Sequence, residues 1–343
     1  MNREDYILAG YADLEISTQI IIRAALARNI KVEILNREAQ FIRLSQGTNT
    51  QLIKEATKTG IDSYITYLAM EDKHVSKLLL KEANLVVPAG ERFFTAQTAL
   101  DYLSKRSGDP KLQEAERWVI KPNASNYGNG VQILPLNPDP DQIKTALELA
   151  FRFDHCVLTE EFIPGDEFRF LVLGSRCHAV CRRVPANVTG DGRSTIAELI
   201  ALKNQDVRRG THHRLPLEKI NATDPVVLNH LHSNQLHIDS IPPEGEQVFL
   251  RKNSNISTGG DSIDETDNMH PAFFDIATRA AQAAGARICG VDIIIPEKNR
   301  HPDEQKWAIL EINFNPVLFI HEFPYQGKPR PTGDAVLDLL GFQ

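Results

Sequence analysis

The stretch Ile288 to Pro316, ICGVDIIIPEKNRHPDEQKWAILEINFNP, decides the reading of the chain. Two apolar runs rich in β-branched residues, Val291 to Ile295 and Trp307 to Ile312, flank a polar, charged connector, which predicts a β-hairpin with a long loop. Each run carries one acid where a buried strand should have none: Asp292 in the first and Glu311 in the second. Asn313 lies two positions beyond Glu311, hence on the same face of its strand. Two carboxylates and an amide oxygen then converge across neighbouring strands. Such hard oxygen donors suit Mg²⁺, which takes one or two protein carboxylates and leaves its other positions to water and phosphate. A pair of partly buried acids neutralised by lysine or arginine is the other reading of the same residues.

The 343 residues suffice for two or three subdomains, and 42% apolar with 24% charged residues is ordinary for a soluble globular protein. No run approaches the roughly 18 to 20 apolar residues of a membrane span. The opening MNREDY does not resemble a signal peptide, so a cytoplasmic location and no membrane partner are expected. Cys156, Cys177, Cys181 and Cys289 form no CxxC pair and read as free thiols in a reducing compartment. The net charge of −7 argues against nucleic acid as a partner, yet permits a local basic pocket for a phosphorylated ligand.

Along the chain, a helix from Ile16 to Arg28, with Ser17 or Asp13 as candidate cap, precedes a KVEIL strand in a small α/β unit. EDKHVSKLLLKEANLVVP (71–88) reads as a helix with Val75, Leu78, Leu79 and Glu82 at helical spacing; Lys73 and Lys77, four apart, share a side that reads as solvated. WVIKPNASNYGNG (118–130) is a strand ending at Lys121 and a loop in which Gly128 and Gly130 can take conformations closed to other residues. It is either a plain turn or a cradle whose N–H groups and lysine hold phosphate. CVLTEEFIPGDEFRFLVLG (156–174) gives a strand, a Pro-Gly turn and a second strand, with Glu160, Glu161 and Glu167 around the turn and few basic sequence neighbours. Acids so placed either bind a nucleotide's adenine and ribose or simply face solvent. Arg169, Arg182 and Arg183 lie near strand ends, where forked guanidinium groups clamp carboxylate or phosphoryl oxygens. A Gly-rich loop and a helix capped by Ser194 follow. Residues 207–247, with five of the eleven histidines, read as a solvated insertion. Arg251 then enters a second small-residue loop, SNISTGGDSIDETD, and helices from Pro271 to Gly285 and near the C-terminus complete the chain.

In order and spacing these pieces resemble the ATP-grasp superfamily of carboxylate-amine ligases over nearly the whole chain. The resemblance implies an α/β (α+β) fold: an N-terminal subdomain (1–90), a lid subdomain (91–170) and a C-terminal subdomain (171–343), with ATP between two sheets. DK before KLLL and VIKP put Lys73 and Lys121 where that family contacts ATP phosphates. EEFIPGDEF resembles its hinge, with Glu160 and the backbone of Glu161 to Ile163 on adenine and Glu167 on ribose. Asp292, Glu311 and Asn313 fall where the family binds Mg²⁺, with Mn²⁺ as the alternative ion.

RRVPANVTGDGRSTIAELI, LPLEKI, LRKNSNISTGGDSID and EINFNPVLFIHEFPYQGK are similar to the glutathione synthetase module of the fused bacterial γ-glutamylcysteine ligase/glutathione synthetase enzymes, and less completely to cyanophycin synthetase. The implied reaction joins an acid such as γ-glutamylcysteine to an amine such as glycine through an acyl phosphate, releasing ADP and phosphate. The synthetase-like text starts near the beginning of the sequence, so the acid is expected either to come from another enzyme or to be a different acid altogether. A cyanophycin-type ligase and a catalytically idle nucleotide-binding protein are the alternatives, and the likeness leaves room for a homo-oligomer. D-alanyl-D-alanine ligases have an arginine two residues before the first metal acid; here that residue is Gly290. Arg251 is therefore expected to neutralise the oxyanion, with Arg183 and Lys121. No histidine or glutamate is assigned as general base. Residues 123–130 and 185–193 are the expected lids.

Overall fold

The structure is a computed structural model that describes residues 5–107, 117–124, 128–135 and 138–343. Two sheets carry the site. The larger has five strands in the order β14 (Asp261–Asp264), β9 (Arg176–Val184), β8 (Asp166–Leu173), β15 (Ile288–Ile295) and β16 (Ala308–Asn313), every adjacent pair antiparallel. The smaller orders β4 (Gly90–Phe93), β7 (Val157–Glu161), β5 (Trp118–Pro122) and β6 (Gln132–Ile133). The expected hairpin of β15 and β16 forms, with Asp292 opposite Glu311 and a register shift just after Asp292.

Alternation gives the large sheet two unlike faces. Phe168, Phe170, Val172, Val180, Val291, Ile293 and Ile312 face α8 (Pro271–Ala283), whose Phe273, Ile276, Ala277 and Ala280 complete an apolar core. The other face carries the charged residues. A second core joins α1 (Ile16–Ala27) to β1 (Lys31–Asn36), β2 (Phe41–Gln46) and β3 (Asn49–Lys54), and takes in Leu318 to Ile320 of α9 (Phe319–Glu322) and Val336 and Leu337 of α10 (Thr332–Leu339). α4 (Ala96–Ser107) and α5 (Pro140–Phe151) pack on the small sheet, α5 starting with a full capping box at Asp139.

Several local expectations are corrected. The cap of α1 is Glu15 without a side-chain bond, because Asp13 pairs with Arg37 and the Ser17 hydroxyl accepts from the Leu318 amide. The stretch read as one helix from residue 71 is two, α2 (Tyr64–Glu71) and α3 (Lys73–Glu82), parted at Asp72, whose carboxylate caps α3 at the Val75 amide. On α3 the buried residues are Ser76, Lys77 and Leu80, while Val75 and Leu78 are exposed: the lysine side read as solvated faces inward, because an acid waits there. Thr195, not Ser194, caps α6 (Ile196–Lys203), since Asp191 holds Ser194. The supposed solvated insertion folds. It contains β11 (Arg209–Gly210), β12 (Leu217–Glu218) and α7 (Pro225–Ser233), and with α6, β10 (Asn187–Thr189) and β13 (Gln247–Phe249) it buries Val188, Ile200, Ile220, Val227, Leu231 and Val248.

The strands either side of the Pro-Gly turn do not pair. β7 belongs to the small sheet and β8 to the large one, so residues 162–165 are the covalent hinge between them. No helix among the described residues is long and apolar enough to cross a membrane.

Candidate active site

One row of residues crosses all five strands of the large sheet on its polar face. By register it runs Asp264, Cys181, Arg169, Asp292, Glu311. Asp292 is fully buried. Arg169 donates to it through Nε and, at 2.8 Å, through Nη2; Arg183 Nη1 stands 3.6 Å from its Oδ2. Burial alone would push the Asp292 carboxyl up, but the two guanidinium groups outweigh it and hold the group below the usual carboxylate range. Glu311, on the edge strand, keeps 30% of its side chain exposed, and Lys73 Nζ lies 3.9 Å from its Oε2. The Asn313 amide donates to both acids, at 3.1 Å to Asp292 and 3.3 Å to Glu311.

The expected convergence of Asp292, Glu311 and Asn313 is thus present, and so is their neutralisation by arginine and lysine. The donor set fits a hard divalent ion: two carboxylates and an amide meet on one rim, and a partly positive NH₂ group already bridges the acids where an ion would do so. A half-turn of that amide would present its oxygen instead.

Glu167, one turn of the pleat from Arg169, binds Arg183 and the Ser254 hydroxyl. Burial raises its pKa; Arg183 opposes this, and the Asp292 charge adds to it. Across the hinge, Glu160 is buried between two lysines, Lys77 Nζ at 2.6 Å and Lys121 Nζ at 2.9 Å. Burial opposes its ionisation, yet Lys121 and Lys77 prevail and lower its pKa. Glu161 takes the Ala89 amide and Lys306. The acids around the turn, poor in basic neighbours along the chain, are therefore each paired with a distant cation brought by another element. Ile163 is buried in the hinge, where the Arg117 guanidinium lies over the Phe162 ring.

Gly128 and Gly130 both have positive φ, and a Cβ on Gly130 would come within 2.7 Å of Phe153 and Pro122. The loop they end passes beside Asn253; its residues 125–127 lie outside the described residues. The other expected lid is bound down. Gly190 donates to Glu246 and accepts from Gly245, and Gly192 donates to Pro242, so 185–193 is stitched to 242–246.

A family model described as an ATP-grasp-like domain matches residues 12–65. The chain is 47% identical over 335 residues to the glutathione biosynthesis bifunctional protein GshAB of Listeria welshimeri and 44% identical to that of Clostridium perfringens, with 98% of this chain and 42% of each relative covered. Its fold superposes on the crystal structure of a bifunctional glutathione synthetase from Pasteurella multocida with a TM-score of 0.75 and 39% identity, over 99% of this chain and 46% of that one. The chain has the ATP-grasp fold. It spans less than half the length of the relatives it matches.

Within this fold Arg251, expected to neutralise the oxyanion, makes its contacts elsewhere. Arg251 is bound to Asp224, the residue that caps α7, and among the described residues no hydrogen bond or ion pair joins it to the acid row. The room left by Gly290 is already filled: a Cβ there would lie 2.7 Å from Cδ and 3.1 Å from Nε of Arg169. The guanidinium beside Asp292 thus comes from the neighbouring strand β8. Two further groups escaped the sequence reading, Lys77 and Ser254. For Lys77 the signal was its four-residue spacing from Lys73; for Ser254, a hydroxyl in a loop of small residues, there was none.

Proposed function

We propose that this chain joins γ-glutamylcysteine to glycine, converting ATP to ADP and phosphate through an acyl phosphate. The observation that carries the reading is the row of charge on one sheet face, with two guanidinium groups at the buried acid and a lysine at the exposed one. We further read Asp292, Glu311 and Asn313 as the Mg²⁺ ligands and the chain as three units dividing near residues 90 and 170. The ion, when bound, would withdraw charge from the phosphate oxygens.

The chain's own residues orient and neutralise. Lys121 and Lys73 hold phosphate oxygens, the hinge backbone from Glu161 to Ile163 takes adenine, and Glu167 takes ribose. Arg169 and Arg183 face the oxygens that gain charge as the acid's carboxylate attacks the γ-phosphorus and again as the amine attacks the acyl phosphate. These groups act by position and charge, without covalent participation. Four free cysteines and the absence of a long apolar helix among the described residues support a cytoplasmic setting.

The glutathione assignment draws on the likeness to relatives bearing that name, over nearly the whole of this chain. A panel of acids and amines incubated with ATP and Mg²⁺, the products weighed by mass spectrometry, tests it. γ-Glutamylcysteine with glycine should outpace every other pair and release ADP. AMP as product would remove the acyl-phosphate mechanism; a faster unrelated dipeptide would remove the substrate assignment and leave the ligase chemistry.

A further inference from the structure

The sequence set Lys73 and Lys77 one helical turn apart, and the proposed function uses only the first. Lys77 is nine-tenths buried and lies 2.6 Å from Glu160, an acid equally enclosed. The two belong to different halves of the molecule. α3 packs against α8 and β16 and places Leu80 in the core of the large sheet, whereas Glu160 is on β7 of the small one. The first turn of α3 is also tied across, by the His74 amide donating to Asn123 after β5. Besides the hinge at 162–165, α3 is thus a strut between the sheets, and its deepest tie is ionic.

We propose that Lys77 is a positioning residue for nucleotide binding: its ion pair with Glu160 pins α3 to β7 and so fixes Lys73 relative to Lys121 across the cleft. Apolar packing between α3 and β7 would tolerate sliding, whereas two charges buried together hold one register, because any displacement leaves a charge unpaired. Glu160 spans the arrangement, with Lys77 on one oxygen and Lys121 on the other. Its carboxylate therefore serves the two lysines rather than the adenine amino group, and base recognition falls to the hinge backbone.

The inference rests on the nucleotide part of the proposed function, and its test separates the two. The ammonium of Lys77 faces Glu160 and Lys121, with Lys81 one turn further along α3; burial, only partly opposed by Glu160, brings its pKa down to about 8. Nucleotide affinity should accordingly fall as pH rises through that value, when a neutral amine no longer holds the acid. Binding of Mg·ADP to the full chain is measured by calorimetry from pH 7 to about 9.5 for the wild type, Lys77→Met and Lys77→Arg, with melting curves as a check on folding. At pH 7 the methionine variant should bind about tenfold more weakly, a loss of about 1.4 kcal/mol, and its residual affinity should show no inflection near 8. The arginine variant, charged throughout, should also lack the inflection. Wild-type affinity in Lys77→Met, or an inflection that survives in it and so belongs to Lys73, overturns the inference. Should the methionine variant fail to fold, the arginine variant decides, since an inflection persisting there cannot come from residue 77. A wild-type chain that binds no Mg·ADP would overturn the nucleotide reading and this inference with it.

Discussion

Glu311→Gln and Asp292→Asn remove the same charge from opposite partners in one hairpin register, yet their environments predict different outcomes. Glu311 is nearly a third exposed, and its nearest cation, Lys73, stands 3.9 Å away, so its loss should cost the fold no more than about 1 kcal/mol. Asp292 is fully buried under a two-pronged bond from Arg169, with Arg183 at 3.6 Å. Neutralising it leaves two buried guanidinium groups short of a counter-charge, which costs about 3 to 5 kcal/mol. Thermal melting should show Glu311→Gln within a few degrees of wild type and Asp292→Asn markedly lower. Turnover, followed by ADP release, should fall in both; for Glu311→Gln the loss should reach about a hundredfold or more, because one charge aimed at the phosphates in a closed site is worth two to three orders of magnitude. Raising Mg²⁺ should recover part of the Glu311→Gln activity. A Glu311→Gln enzyme with normal turnover and an unchanged Mg²⁺ requirement would show that the acid is structural, and the metal reading would fall.

Three other outcomes follow from the same geometry. Glu167→Ala should raise the KM for ATP more than it lowers kcat, because ribose contacts are made alike in ground and transition states; the reverse pattern in steady-state kinetics would move Glu167 into the reacting centre. Arg169→Lys should lower kcat at least about a hundredfold, since a point charge cannot replace the fork, while Arg251→Ala, cut off from the acid row, should keep kcat within about threefold of wild type; equal losses in an ADP-release assay would restore Arg251 to the mechanism. Glu160 has a lowered folded pKa, so the stability it gives is present above the unfolded value near 4.5 and is lost as pH falls through the lower folded value; melting curves between about pH 3 and 6 should flatten in Glu160→Gln.

What the sequence disclosed depended on whether partners lay along one strand or on separate elements. The hairpin was legible because period-two alternation fixes which side chains share a face, and Asp292, Glu311 and Asn313 duly meet. The hinge was legible as a turn, but not as the passage between two sheets, because a Pro-Gly corner looks the same whether its flanking strands pair or part. The insertion was misread for a similar reason: its apolar residues are few among polar ones, and contact with α6 and β13 is what buries them. Charges were misread wherever the counter-ion came from far along the chain. Glu160 and Lys77 each look solvated in their own segments; 83 positions of chain separate them, and each is buried only because the other is. Gly290 was taken as a missing arginine, when its lack of a side chain is the condition for Arg169 to lie across it.

Under the proposed function, the two readings of the hairpin acids, metal ligands or neutralised pair, would be successive states of one design. Two carboxylates facing each other across a buried sheet cannot wait unpaired for an ion, since isolated buried charge costs far more than the fold can supply. Arg169, Arg183 and Lys73 meet that need. In the proposed reaction the nucleotide's polyphosphate would bring more negative charge than a bound divalent ion could offset. Asp292 and Glu311 would hold such an ion, and Arg169, Arg183 and Lys73 would then face phosphate oxygens with their charge and direction unchanged. No side chain need be carried in from solvent, and little reorganisation is left to oppose phosphoryl transfer, which is the condition under which fixed charges are most effective. The guanidinium groups that make Asp292 look structural are thus the groups the proposed chemistry would require at that spot.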